Sequence, residues 1–225
     1  AIRHAGDYRF EQSWAAPNNG QGWGIAELLP AAGQELWVMD AAGRMDIYRP
    51  FAFEPASRRR IVLPSGAEVN RALMADLFGD GRQQILLLIR VGGEQRLAAF
   101  AWPDLQQVWE YTLDVPANSY SMITASLDSD PAREIVLSYG AVIDPMQSVE
   151  QWFYNEGFGI AMQGANVDGD PAEELIAMSG WQNVTAFDVD LQSPRWQIGT
   201  GDNDSLLVAD VTGSAFPEIL VGEGQ

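Results

Sequence analysis

Three side-chain chemistries are missing or nearly missing from this sequence. Its 225 residues include no cysteine, no lysine and a single histidine, His4. The lack of cysteine excludes a disulfide framework, a thiolate metal site and a cysteine nucleophile. One histidine cannot form a multi-histidine zinc site, and a Ser-His-Asp triad would have to use His4.

Positive charge is also scarce. The 13 basic residues are all arginine and face 31 carboxylates, which gives a formal charge of -18. A field of that sign repels phosphate, so we expect no nucleic-acid partner. The longest aliphatic run, residues 85–89, is far shorter than the roughly 20 apolar residues of a membrane span, so we expect no membrane insertion. A hydrophobic content of 47% instead indicates a packed core.

An internal repeat organises the chain. Four fourteen-residue segments align without gaps: ADLFGDGRQQILLL from Ala75, ASLDSDPAREIVLS from Ala125, ANVDGDPAEELIAM from Ala165 and ADVTGSAFPEILVG from Ala209. A fifth segment, which begins at Ala26, keeps the first acid and the closing apolar run. The period of roughly 40 to 50 residues is typical of propeller blades or helical arrays. Each copy predicts a short strand, a tight loop and a β-rich strand, and helical periodicity is missing, which favours blades.

A second repeated element alternates with the first. It has thirteen residues and ends in tryptophan, at Trp14, Trp109, Trp152 and Trp196. We interpret it as a third strand, a turn and a fourth strand. Together the two elements give the four strands of a β-propeller blade.

The two ends of the chain complete this pattern. Residues 2–14 predict strands three and four, and residues 205–222 predict strands one and two, so the N-terminal strands should complete the C-terminal blade and close the ring. We therefore predict an all-β, single-domain, five-bladed β-propeller of four-stranded antiparallel blades. The predicted blades are 22–64, 68–115, 119–156, 159–200, and 205–225 with 1–15.

The segment ANVDGDPAEELIAM resembles the FG-GAP/VCBS-type repeat of integrin α-subunits and related propellers. The stretch VTAFDVDLQSPRWQI is similar to quinoprotein-type propeller repeats. The first resemblance implies a calcium loop of the form D-x-[DN]-x-D-G-x-x-D before a β-strand. It also implies a secreted or periplasmic location.

Two loops match that calcium pattern at positions 1, 3, 5 and 9, where alternate oxygens suit a hard cation. The matching residues are Asn166, Asp168, Asp170 and Glu174 in one blade, and Ser126, Asp128, Asp130 and Glu134 in the preceding blade. Proline replaces the expected glycine, at Pro131 and Pro171, and glutamate replaces aspartate at position 9. We expect Ca²⁺ in one or two blade loops and no organic cofactor. The alternative is that the aspartates only cap turns by accepting backbone N–H bonds.

The recurring tryptophans favour packing between blades over sugar stacking. Polar and aromatic side chains gather in the loops between strands two and three and in the connections between blades. Loops on a rigid scaffold commonly carry function, so we predict that this face binds ligand. Its candidate residues are Trp181, Tyr139, Tyr120, Arg90, Asn155 and Asn203. Turn geometry is the alternative explanation for the asparagines.

Three functions remain open. The first is a non-enzymatic, extracytoplasmic binding module that recognises a glycan or cell-surface polymer through that face. The second is a protein-interaction or adhesion propeller, and the third is an accessory domain of a polysaccharide-active enzyme. We expect no catalysis, because the first-strand acids repeat as part of the scaffold and neither a G-x-S-x-G elbow nor a Walker A loop is present. We expect a monomer or a part of a larger chain.

Overall fold

A computed structural model describes residues 20–30, 33–50, 52, 54–115, 120–178, 183–201, 203–214 and 216–223. Every regular element in these ranges is a β-strand, and the strands are labelled β1 to β18 in chain order. Across the same ranges there is no helix whose length and hydropathy would let it cross a bilayer.

Four sheets are four-stranded antiparallel meanders. The first comprises β1 (Gly22–Ala26), β2 (Glu35–Met39), β3 (Arg44–Tyr48) and β4 (Ser57–Arg60). The second comprises β5 (Glu68–Ala75), β6 (Gln84–Val91), β7 (Glu94–Ala101) and β8 (Gln106–Leu113). The third comprises β9 (Met122–Ala125), β10 (Glu134–Leu137), β11 (Ala141–Asp144) and β12 (Val149–Phe153). The fourth comprises β13 (Met162–Ala165), β14 (Glu174–Ala177), β15 (Asn183–Asp188) and β16 (Ser193–Gly199).

A fifth sheet pairs β17 (Asn203–Ala209) with β18 (Glu218–Glu223). The sheets are called blades 1 to 5 from here on. The predicted all-β fold of antiparallel four-stranded blades is confirmed. The strands predicted to close the ring, in residues 1–15, lie outside the described residues, so closure stays a prediction.

The second strand of each complete blade explains the apolar runs of the sequence. All four residues of β10 and of β14 are buried, as are the first six of β6. A strand reads as continuously apolar when both of its faces are covered. Here the covers are the neighbouring blades on either side.

The core lies between blades, not within any one of them. Four apolar clusters join consecutive blades: one spans blades 1 and 2, the next blades 2 and 3, then blades 3 and 4, and the last blades 4 and 5. The first strands pack side by side in the order β1, β5, β9, β13 and β17. This order places the first strands innermost.

Small residues permit this close approach of the inner strands. A Cβ at Gly22 would lie 2.2 Å from the carbonyl oxygen of Ala72 in the next blade. A Cβ at Gly164 would lie 2.4 Å from the Cβ of Ala125. The inner strands therefore need glycine or alanine where they touch.

The described tryptophans of the second repeat occupy the seams between blades. Trp109 packs on the cluster between blades 2 and 3, and its indole N–H donates to Ser148 Oγ of blade 3 at 2.9 Å. Trp152 is buried between blades 3 and 4, and Trp196 packs between blades 4 and 5. Trp14 lies outside the described residues.

Candidate functional site

The loops between first and second strands share one hydrogen bond in all five blades. The first residue of each second strand accepts a backbone N–H from seven residues earlier, at 2.6 to 2.9 Å. The pairs are Leu28 with Glu35, Leu77 with Gln84, Leu127 with Glu134, Val167 with Glu174, and Val211 with Glu218. We call this bond the loop clamp. It uses one oxygen of the side chain at position 9 of the predicted calcium pattern.

The blade 3 loop brings three acids together. Asp128, Asp130 and Glu134 each place a carboxylate oxygen within 4.8 Å of the others. Asp128 Oδ1 accepts the Asp130 N–H at 2.9 Å, and Asp130 Oδ1 accepts the Ala132 N–H at 2.7 Å. The turn-capping role is therefore present, and it occupies one oxygen of each aspartate.

Glu134 is the buried member of this cluster. Its side chain is 0% exposed, and its Oε1 has no hydrogen-bond partner among the described residues. Burial, opposed in part by the clamp bond and reinforced by Asp128 and Asp130, raises the pKa of Glu134 to about 7. A buried carboxylate oxygen without a donor is stabilised by a cation, so these three acids fit a hard metal ion that takes oxygen ligands.

The position 1 side chains of both loops have hydrogen bonds within the protein. Ser126 Oγ accepts from the Arg133 guanidinium at 3.2 Å, and the Ser126 N–H donates to Glu173 Oε2 of blade 4 at 2.9 Å. Asn166 Oδ1 accepts the Gly169 N–H at 2.8 Å. Ser126 thus contributes a hydrogen bond between blades 3 and 4, and Asn166 stabilises the turn of its own loop.

The blade 4 loop forms a matching acidic cluster with one addition. Asp168, Asp170 and Glu174 also place carboxylate oxygens within 4.8 Å of one another. The Arg195 guanidinium donates to Asp168 Oδ2 and to Asp188 Oδ2, both at 3.1 Å. A cavity of about 270 Å³ lies beside this ion pair, and five acids line it together with Arg195: Asp170, Glu173, Glu174, Asp188 and Asp190.

Sequence reasoning missed the partners of both clusters. Asp188 and Arg195 in blade 4 correspond to Asp144 and Gln151 in blade 3. The signal was available, because the thirteen-residue alignment places the two aspartates at its fifth position and Gln151 or Arg195 directly before the tryptophan. Spacing alone could not show that these side chains turn back towards the loop.

The other predicted face is organised around Tyr139. Its ring lies 4.6 Å from that of Tyr120 and 6.0 Å from that of Phe153, centroid to centroid. Tyr139 and Tyr120 are half-buried against the cluster between blades 2 and 3. Burial, with Glu150 nearby, raises the pKa of the Tyr139 phenol strongly. The ring therefore belongs largely to the seam.

The remaining predicted face residues are dispersed. Arg90 pairs with Glu68 across β5 and β6 at 2.5 Å, and Asn155 is exposed in the turn after β12. Asn203 begins β17, although its side chain lies outside the description, as does the whole of Trp181. Exposed apolar side chains flank Asn155: Phe153 is 42% exposed and Ile160 is 72% exposed.

Comparison with known proteins supports the fold. No family model and no curated protein sequence matches the chain. Several solved structures resemble it at low identity. BBS1N, in a crystal structure in complex with ARL6DN, matches with a TM-score of 0.62 and 15% identity, over 92% of this chain and 64% of that one. The exotype rhamnogalacturonan lyase YesX gives a TM-score of 0.56 at 13% identity, over 89% of this chain and 42% of that one.

A third similar structure is the Dos1 propeller, with a TM-score of 0.55 and 10% identity over 88% of this chain and 53% of that one. The chain thus spans less than two thirds of the length of the solved structures it resembles. With its own four-stranded sheets, this likeness shows a β-propeller fold. The resemblance to FG-GAP-type repeats stays an interpretation of short sequence motifs in this chain.

Proposed function

We propose that the chain is a non-enzymatic module that binds another protein through the exposed side chains of Phe153, which contacts the Tyr139 ring, and of Ile160; these two exposed residues are called the patch. The observation that carries this proposal is the exposure of Phe153 and Ile160 at the two ends of the connection between blades 3 and 4. Exposed aromatic and aliphatic side chains on a rigid support are the usual anchors of protein recognition.

The surroundings of the patch favour a protein over a small ligand. Tyr139 is supported by Tyr120, so the aromatic base is fixed before binding. Arg90, one of the predicted face residues, is already paired with Glu68. One similar structure, BBS1N, was solved in complex with ARL6DN, so a scaffold of this kind does bind a partner in that case.

A glycan is the second candidate. The observation in its favour is the group of three rings, Tyr120, Tyr139 and Phe153, together with the exposed Asn155, which follows Phe153 by two residues in the chain. Aromatic faces with nearby amides suit the apolar side and the hydroxyls of a sugar. An accessory role beside a polysaccharide-active enzyme would use the same surface.

The test compares the double variant Phe153→Ser with Ile160→Ser against Leu191→Ser. Leu191 lies in the turn between β15 and β16, and its exposure falls between those of Phe153 and Ile160. Partners captured by the wild type are identified, purified and measured directly by biolayer interferometry. We expect the double variant to weaken binding at least tenfold and the control to leave it unchanged. Equal binding by the double variant, or binding to a glycan array without a protein partner, would overturn the protein assignment.

We also propose that the acidic loops of blades 3 and 4 are the candidate sites for Ca²⁺, which would act as a structural ion. The fit rests on the three grouped carboxylates and on Oε1 of buried Glu134, for which the described residues provide no hydrogen-bond partner. Asp128, Asp130 and Glu134 would hold the ion by carboxylate oxygens, and the ion would join the loop to the start of β10. No catalytic step is assigned to it.

An extracytoplasmic location, which the resemblance implies, would suit such sites, because extracellular calcium modules bind in the range of about 10⁻⁴ to 10⁻³ M. An ion that binds only the folded state must raise the stability of the folded state. We therefore expect millimolar Ca²⁺ to raise the melting temperature and a chelator to reverse the effect. An unchanged melting temperature would count against both loops.

A further inference from the structure

Gln151 and Arg195 occupy the same structural position in blades 3 and 4. Each precedes its seam tryptophan and is the extra residue at a β-bulge on the fourth strand. In blade 3, Val142 is opposite Trp152 and Ile143 is opposite Glu150, so no residue of β11 is opposite Gln151 in the strand register. In blade 4 the same shift leaves Arg195, between Pro194 and Trp196, without an opposite residue in the strand register. The bulge turns both side chains towards their own acidic loop.

In blade 4 this side chain is a cation. The Arg195 guanidinium bridges Asp168 Oδ2 of the loop and Asp188 Oδ2 at the end of β15, at 3.1 Å each. It therefore already neutralises part of the charge that a metal ion would compensate. It also places a fixed positive charge beside Asp168, which is one of the three grouped ligands.

In blade 3 the side chain is neutral. Gln151 Nε2 donates to Asp128 Oδ2 at 3.0 Å, the equivalent of the contact between Arg195 and Asp168. The equivalent of the second contact is missing among the described residues: Asp144 is 0% exposed, and its Oδ2 has no hydrogen-bond partner there. The Oε1 atoms of Gln151 and Glu134 are also buried without described partners.

The nearest arginine of the blade 3 loop does not replace the missing cation. Arg133 directs its guanidinium to Ser126 Oγ, to the carbonyl oxygen of Thr124 and, at 3.4 Å, to Glu173 of blade 4. Blade 3 thus buries acidic groups without a cation at the position where blade 4 has one. Buried carboxylates without a counter-charge are costly.

We propose that Arg195 is an internal cation that takes the place of a metal ion in blade 4, so that only the blade 3 loop binds a divalent cation. This inference rests on the calcium sites proposed above and selects between them. The difference between Gln151 and Arg195 is what decides metal binding in each blade. A dication near Asp168 would be repelled by the guanidinium bound to that carboxylate, whereas Asp128 accepts from the amide of Gln151, and the Arg133 guanidinium is held by Ser126, Thr124 and Glu173 instead.

The experiment counts bound ions by native mass spectrometry and by isothermal titration with Ca²⁺. We expect one ion in the wild type, two in Arg195→Gln and none in Gln151→Arg. Asp130→Asn should remove the single ion, and Asp170→Asn should not. Arg59→Gln, in the outer strand of blade 1, makes the same charge change away from both loops and should keep one ion.

A second measurement does not depend on metal. Gln151→Arg provides a donor for Asp144 Oδ2 and a counter-charge for Asp128, so it should raise the melting temperature in the presence of a chelator. Arg195→Gln should lower that melting temperature and make it respond more strongly to Ca²⁺. Circular dichroism confirms that each variant keeps its β-structure.

The outcomes separate the two proposals. No ion in the wild type would overturn the calcium proposal itself. Two ions in the wild type, or one ion in both the wild type and Arg195→Gln, would leave calcium binding standing and overturn the role of Arg195. Loss of the single ion in Asp170→Asn instead of Asp130→Asn would also overturn it.

Discussion

The side-chain amide of Gln163 pairs with both backbone groups of Val208. Its Oε1 accepts the Val208 N–H at 2.9 Å, and its Nε2 donates to the Val208 carbonyl oxygen at 2.8 Å. Gln163 lies on β13 and Val208 on β17, so the amide acts as a peptide group between the inner strands of blades 4 and 5. This two-point polar contact joins the two blades.

Replacing this amide should loosen the junction. Gln163→Leu keeps the approximate size but leaves the two backbone groups of buried Val208 without partners, which we expect to cost about 1 to 3 kcal/mol. Urea unfolding and amide hydrogen exchange at Val208 measure the effect. Gln197→Leu is the control, since the Gln197 amide donates to Thr185 Oγ1 within its own blade. A loss as large in Gln197→Leu as in Gln163→Leu would contradict the junction role.

The loop clamp should depend on an oxygen acceptor and not on charge. In blade 1, Glu35 Oε2 accepts the N–H groups of Leu28 and Leu29 at 2.9 and 3.3 Å. Gln84 forms the same clamp in blade 2 with an amide oxygen. We expect Glu35→Gln to change stability by less than about 1 kcal/mol and Glu35→Ala to lower it by about 1 to 3 kcal/mol. Denaturant midpoints provide the comparison, and equal losses in both variants would show that the charge matters.

The clamp also shows what the sequence could and could not reveal. Repeat period and apolar runs predicted the blades because a buried second strand such as β10 must be apolar on both faces. The same alignment predicted metal ligation for Glu134 and Glu174, which stays a prediction. Residue type and spacing could not show that one oxygen of each also accepts the clamp bond. Gln84 at the aligned position was the available clue that a neutral acceptor suffices there.

The position of Tyr139 was less predictable. A tyrosine directly after a strand, in a turn, suggested an exposed ring. In the structure the ring folds back between blades 2 and 3, because Tyr120 and Phe153 approach it from separate parts of the chain. These two rings come from the beginning and the end of the same blade, and the cluster shared with blade 2 packs on Tyr139 as well, so no local pattern encodes the position of the ring.

Trp152 should be a principal source of stability at its seam. Its ring is 8% exposed and lies 5.4 Å from Phe158 and 6.0 Å from Phe187, between centroids. Trp152→Ala leaves a cavity between blades 3 and 4, and we expect a loss of about 3 to 5 kcal/mol. Val149→Ala changes a 44% exposed residue of the same strand and should cost less than about 1 kcal/mol. Chemical unfolding decides, and similar losses for both variants would contradict packing of Trp152 in the seam.

Burial of Tyr139 predicts a specific response to alkaline pH. Desolvation favours the neutral phenol and raises its pKa in the folded state above the unfolded value of about 10. The stability contributed by this shift is complete below that unfolded pKa and is lost as the pH rises through the folded one. The Tyr139→Phe variant has no phenol to ionise at this position, so its stability should fall less steeply above pH 10 than that of the wild type. Its phenolate absorbance should also lack the component that titrates last in the wild type.

Tyr154→Phe is the matched control. The pKa of Tyr154 is also raised, mainly by burial, but its hydroxyl lies in a turn and donates to Glu156 at 3.2 Å. If Tyr154→Phe removed the late component and Tyr139→Phe did not, the ring of Tyr139 would be the more solvated one and its place in the seam would be wrong.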